Sequence, residues 1–216
     1  MIYKDYRLPT ASTDFDDLQK KKKELVEQLS NSNHPRAMDH YSLYRKEKGL
    51  KQKFFDAYKK RCSYCGTSAG LFGVENLEID HFVCKADSDA TQKVFGFGLN
   101  HTYNLVSSCR QCNRSKSDLS IPEQYRNIVN PDQDTIKAVF QRDKNFKIQI
   151  TPEYKNDEFV NKFYQKLQLD SHIHQLDYLI SEIEELAKKE EVPEAVQDKL
   201  FKASLFLKTK RNCTYK

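Results

Sequence analysis

Apolar residues recur at helical spacing near both ends of the chain and alternate at strand spacing between them. Leu18, Leu25 and Leu29 share a stripe among lysines and glutamates, which predicts a helix from Asp14 to the break at Ser30-Asn31-Ser32-Asn33-His34-Pro35. A second helical stretch opens near Met38 with Tyr41 and Tyr44, and Gly49 is placed to break or kink it. Leu50, Phe54 and Tyr58 then repeat every fourth residue as a core-facing stripe. Val74 to Asp80 alternates like a half-buried strand, and Asn104-Leu105-Val106 begins its return partner. Residues 82–103 between them read as a long polar, glycine-containing loop in which Val94, Phe95 and Phe97 fold back. A short helix follows over Asn113–Ser117. Past the turn at Asn130-Pro131-Asp132, Thr135 to Phe140 reads as a short helix or strand, and Phe146 to Ile150 alternates. From Asn156 the helical period returns through Phe159, Phe163, Leu167, Ile173, Leu176, Leu179, Ile180, Ile183 and Leu186. Pro193 opens a further helix with Val196, Leu200, Phe201 and Phe206. The pattern predicts a mostly helical α+β chain: an N-terminal helical extension (1–55), a small strand–loop–strand–helix core (56–120) and a C-terminal amphipathic helical region (121–216).

Composition sharpens this picture. Hydrophobic residues make up 38% of the chain, charged residues 31%, and tryptophan is absent, so a modest core needs help from a metal. The net charge of +5 is mild, but residues 44–61 hold eight basic side chains against two acidic ones and run straight into Cys62. Arg110, Arg114 and Lys116 continue the positive charge further along, which suits a polyanion. Lys20 to Lys23 read as a solvated lysine face. No stretch reaches membrane-spanning length and the N-terminus lacks a signal-peptide core, so a reducing cytoplasm and no membrane partner are expected.

The chemistry gathers around two knuckles, Cys62-Ser63-Tyr64-Cys65 and Cys109-Arg110-Gln111-Cys112. Two C-x-x-C turns match a closed tetrahedral zinc site, each giving two thiolates. Residues 66–108 between them are too long a spacer for a simple zinc ribbon, and they carry polar groups suited to phosphate chemistry. Asp80 offers a hard oxygen to a divalent cation such as magnesium, and His81 can take a proton from water. Asn113 can give that cation a second oxygen, and Asn104 can fix the His81 ring or backbone. Arg110, Arg114 and Lys116 can grip neighbouring phosphates in backbone-dominated, salt-sensitive binding. Cys84 and Cys213 receive no role, nor do His34, His40, His172 and His174; His101 reads as a solvent-exposed loop histidine, with an extra metal or substrate contact as the alternative.

In order, Cys62-x-x-Cys65, Asp80-His81, Asn104-Leu105 and Cys109-x-x-Cys112-Asn113-x-x-Lys116 closely resemble the zinc-stapled HNH endonucleases. That resemblance implies a ββα-metal core with a structural zinc ion and a catalytic Mg2+ or Mn2+, acting on DNA. It implies His81 as general base, Asp80 and Asn113 as ligands of the catalytic cation, and Asn104 as the residue that orients the base. Three features depart from the family. Asn113 replaces the final histidine, Val83-Cys84-Lys85 stands where a proline is common, and a longer insert replaces the usual glycine pair. The helical tail adds a resemblance to nucleases of Septu-type anti-phage systems, which implies an ABC/SMC-like ATPase partner. The competing expectation is a catalytically silent zinc module that binds nucleic acid or a partner.

Overall fold

The computed structural model describes residues 4–10, 12, 15, 17–30, 39–84 and 94–214. Expectations that fall on Asp14, His34, Pro35, Met38 and residues 85–93 of the long loop lie outside these. The architecture is α+β and about half helical, with two small antiparallel sheets among the described residues.

The helix α1 spans Leu18–Ser30. It buries Leu18, Lys22, Leu25 and Leu29, a single stripe at i, i+4, i+7 and i+11. Lys22 corrects the expected lysine face, because it lies inside. Its ammonium pairs with Asp132 and donates to the Leu105 carbonyl at 2.9 Å, while Tyr58 Oη donates to the same Asp132 carboxylate at 2.8 Å. The Asn130-Pro131-Asp132 turn thereby fastens α1 to the core. Two helices follow, α2 (His40–Lys46) and α3 (Lys48–Ala57). Asp39 caps α2 by accepting from the Ser42 amide at 3.1 Å. The break between them falls at Glu47, whose extended backbone (φ −103°, ψ 102°) ends α2, and Gly49 sits within the first turn of α3. Leu50, Phe54 and Tyr58 face the core as their spacing predicts.

The central strands are β1 (Leu77–His81) and β2 (Leu105–Cys109), paired antiparallel with Leu77 opposite Cys109 and His81 opposite Leu105. The strand starts three residues later than alternation predicts because Val74–Asn76 forms a 3-10 turn. Val94 and Phe97 fold back on each other by mutual backbone hydrogen bonds of 2.7 and 3.0 Å across a turn at Phe95 and Gly96. The helix α4 (Arg110–Lys116) starts at the second knuckle itself, with Cys109 Sγ accepting from the Cys112 amide at 3.4 Å. It therefore begins earlier than the expected Asn113.

Beyond it, α5 (Ile136–Val139) runs into β3 (Phe140–Arg142), which pairs with β4 (Ile148–Ile150). The helices α6 (Glu158–Lys166), α7 (His172–Ala187) and α8 (Glu194–Thr214) complete the chain. Asp157 caps α6 by accepting from the Val160 amide at 2.9 Å. Phe140, Val160 and Phe163 join Tyr64 in the core. The last two helices form an antiparallel hairpin, in which Arg211 reaches back to Asp177 and Ser204 to Glu184. Leu200, Ser204, Leu207 and Arg211 of α8 share the stripe towards α7, whereas Phe201, Leu205 and Phe206 stay exposed. The expected amphipathic face of α8 is thus incomplete: one neighbouring helix can cover only one stripe of it. No helix among the described residues is long and apolar enough to cross a membrane.

Candidate metal centre and the polar face beside it

The sulfurs of Cys62, Cys65, Cys109 and Cys112 lie within 4.8 Å of one another, and all four residues are buried. Zinc–thiolate bonds of about 2.3 Å in a tetrahedron place neighbouring sulfurs roughly 3.8 Å apart. The Cys65 and Cys109 sulfurs are 3.9 Å apart, unbonded and at that spacing. Four free thiols this close suit a thiophilic cation such as zinc, which would relieve the repulsion of four thiolates.

The first knuckle is fixed from outside as well as from within. Gly66 closes the turn with φ +81° and donates to the Cys62 carbonyl at 2.9 Å. A side chain there would strike the Arg7 backbone, since its Cβ would fall 2.0 Å from the Arg7 carbonyl oxygen. Four successive carbonyls each accept from a remote or neighbouring side chain. Arg7 Nη1 reaches Ser63 at 3.0 Å, Tyr6 Oη reaches Tyr64 at 2.7 Å, Arg142 Nη2 reaches Cys65 at 3.0 Å and Arg61 Nη1 reaches Gly66 at 3.1 Å. Arg7 itself is buried against Asp5, with its Nη2 2.6 Å from the carboxylate. The Arg7 guanidinium holds the Asp5 carboxyl below its usual range although burial pushes the other way.

The α4 helix runs from this sulfur cluster across one face of β1. Glu78 and Asp80 point towards it, two residues apart on the strand. Asn113 Nδ2 donates to Glu78 Oε2 at 2.5 Å, and one turn later Lys116 Nζ donates to Asp80 Oδ1 at 3.1 Å and to the His81 carbonyl at 2.8 Å. The Asp80 carboxylate also accepts from Tyr64 Oη at 2.8 Å. Burial raises the Asp80 carboxyl above its usual range, although Lys116 and Tyr64 pull it down. Asp80 and Asn113 therefore lie on the two facing surfaces of one strand–helix layer. They do not share a partner: Asn113 is held by Glu78, and Asp80 by Lys116 and Tyr64.

His81 lies in different company. Its Nε2 is 2.8 Å from Asn100 Oδ1, and its ring packs on Tyr41 of α2 with centroids 4.5 Å apart. Among the described residues no hydrogen bond joins Asn104 to that ring. Asn104 clamps the backbone beyond His81, accepting from the Val83 amide at 2.9 Å and donating to the Val83 and Leu99 carbonyls at 3.1 and 3.0 Å. Asn100 is the ring's partner, and the amino-acid sequence offers no signal for it. Lys116 also departs from the expected phosphate grip, being fully buried with its ammonium engaged inside. Arg110 bonds Glu78 at 3.3 Å from an exposed position, and Arg114 is exposed.

His101 is buried and not the solvent-exposed loop histidine expected, because its ring stacks on Phe97 at 4.1 Å and packs against His40 at 4.4 Å. Burial pushes its pKa down to about 4, with the neighbouring His40 and Lys22 charges adding to the effect. His174, set aside from the sequence, lies 3.9 Å from the Cys112 sulfur. Two omissions were open to inspection. Glu78 precedes Asp80 by one strand period, and Tyr64 sits inside the first knuckle. Comparison with family models, curated proteins and solved structures returns no match to this chain.

Proposed function

We propose that the chain is a metal-dependent endonuclease of the HNH type, hydrolysing DNA phosphodiester bonds, with a structural zinc ion in the four-cysteine centre. The observation that carries this reading is the packing of Asn113 and Lys116 onto Glu78 and Asp80, with the sulfur cluster at the other end of the same helix. Such a layer is what a ββα-metal core requires, and Asp80 and Asn113 would hold the catalytic cation. When bound, Mg2+ or Mn2+ supplies positive charge to the scissile phosphate and the leaving oxygen.

The chain's own residues supply the rest. His81 takes a proton from the attacking water, with Asn100 fixing the ring through Nε2. Asn104 sets the backbone path after His81 by its three bonds to Val83 and Leu99. Lys116 neutralises Asp80 in the resting arrangement and steadies the His81 carbonyl. Arg110 and Arg114, both exposed on α4, bind flanking phosphates in a salt-sensitive, sequence-independent manner. The cluster of four reduced thiols is in keeping with a cytoplasmic enzyme. In this reading the exposed helical tail serves an ABC/SMC-like ATPase partner in anti-phage defence.

The test is plasmid DNA with magnesium or manganese, wild type against His81→Ala. Metal-dependent nicking that disappears in the variant is the expected result. A second reading, a silent zinc module that binds nucleic acid or a partner, is favoured by the engagement of Asp80 with Lys116 and Tyr64. DNA binding without cleavage in either metal, with and without the product of the neighbouring gene, would select that second reading.

A further inference from the structure

The helix α7 carries into the interior a histidine that has only half of its ring accounted for. His174 is buried, its Nδ1 has no hydrogen-bond partner among the described residues, and its Nε2 faces the Cys112 sulfur at 3.9 Å. A buried polar nitrogen without a partner is costly, so an imidazole is a poor filler for a plain packing position. The cost is offset if the other nitrogen donates to a strong acceptor. Four thiolates around a divalent cation leave two negative charges in excess, spread over sulfurs that accept hydrogen bonds well. With no partner at Nδ1, the proton belongs on Nε2, the nitrogen that faces sulfur.

His174 also stands where the C-terminal hairpin meets the knuckles. One turn along α7, Asp177 receives both Nε and Nη2 of Arg211 from α8, at 2.6 and 3.1 Å. Tyr178 lies under the Arg142 guanidinium, 3.9 Å from the ring centre, while Arg142 donates to the Cys65 carbonyl at 3.0 Å. A cleft lined by Thr67, Cys109, Arg110, His174, Asp177 and Arg211 marks the seam. Arg142 joins the hairpin to the knuckle backbone, and His174 joins it to a candidate metal ligand.

We propose that His174 donates an Nε2–H···S hydrogen bond to the Cys112 thiolate of the metal-loaded centre, and that this bond couples metal retention to docking of the α7–α8 hairpin. His174 is then a positioning residue that touches a ligand and not the metal. Outer hydrogen bonds of this kind orient the ligand and hold the metal more tightly. Coupling is reciprocal, so a docked hairpin slows metal loss and a lost metal loosens the hairpin. None of this depends on nuclease activity.

The test uses the full chain loaded with cobalt(II) or zinc(II), comparing wild type with His174→Leu and His174→Gln. A hydrogen bond to a thiolate lowers the energy of its filled orbitals, so its removal moves the thiolate-to-cobalt absorption to longer wavelength. We expect that shift in His174→Leu. In His174→Gln, whose amide nitrogen reaches about as far as Nε2, the band should return. Zinc release to a chromogenic chelator should be roughly tenfold faster in the leucine variant and near wild type in the glutamine variant. Hydrogen exchange of the α7 amides should follow the same order. If the leucine variant does not fold, His174→Asn, whose amide is too short to reach the sulfur, takes its place. An unchanged band and release rate in the leucine or asparagine variant overturns the proposal. So does an equal shift in the glutamine variant, which would mark a packing role alone.

Discussion

At the first cysteine knuckle, backbone carbonyls are capped by residues from far along the chain; at the Asp80 end of β1, polar side chains satisfy one another. Arg7, Tyr6 and Arg142 lie well outside the central segment, yet each caps a carbonyl of the Ser63–Cys65 turn. The polar face is self-contained by contrast. Glu78 bonds Asn113, and Asp80 bonds Lys116 and Tyr64, all within residues 64–116. Redundant outside bracing makes a rigid centre. Local pairs can exchange partners without unfolding anything else. The sulfur centre is braced from outside, and the carboxylate face is closed by its own buried ammonium and phenol.

Four substitutions probe this contrast, in falling order of effect. Cys109→Ser removes a candidate zinc ligand while its hydroxyl can still cap α4, and should abolish the cooperative thermal transition of the central region, because structural zinc is folding energy. Unchanged melting would remove the metal staple from the account. Arg7→Ala removes the guanidinium paired with the buried Asp5 carboxylate, leaving it the residue-7 amide, and takes the arginine donor from two carbonyls, Ser63 and Pro131. Loss of one partner from such a buried pair costs about 3–5 kcal/mol, readable as a fall in urea midpoint.

Lys116→Met should cost less, about 2–4 kcal/mol at neutral pH, because Asp80 can take up a proton in place of its lost partner. The sign of its pH dependence follows. The Asp80 carboxyl is already raised in the folded chain, so without Lys116 the folded state binds a proton that the unfolded state does not. The variant should therefore regain stability as pH falls through the folded-state pKa of Asp80, and urea midpoints across acidic pH should show it. A flat profile would mean that Asp80 is not desolvated as described. Arg110→Ala breaks only an exposed pair with Glu78 and should change stability by less than about 0.5 kcal/mol. On the nuclease reading it should also lower the slope of log affinity against log salt by about one unit.

Much of the centre is written in short-range spacing. C-x-x-C fixes two sulfurs in one turn, and strand alternation puts Glu78 and Asp80 on one side whatever the rest of the chain does. The i, i+4, i+7, i+11 stripe of α1 also includes Lys22, so its burial was open to inspection. Its partner was not, because Asp132 is far away in the sequence and reaches Lys22 only once α1 lies against the Asn130–Asp132 turn. The same holds for Asn100 against His81 and for His174 against Cys112. By itself the sequence determined the four-cysteine set, the strand–strand–helix order and the apolar stripes of α1 and α3, which follow from local geometry, whereas on α7 and α8 the expected Leu186, Phe201 and Phe206 are exposed. Only the tertiary structure decided which buried polar group answers which other. That choice is made by desolvation, which penalises every unpaired group and leaves the packed chain to find each partner at whatever separation it lies.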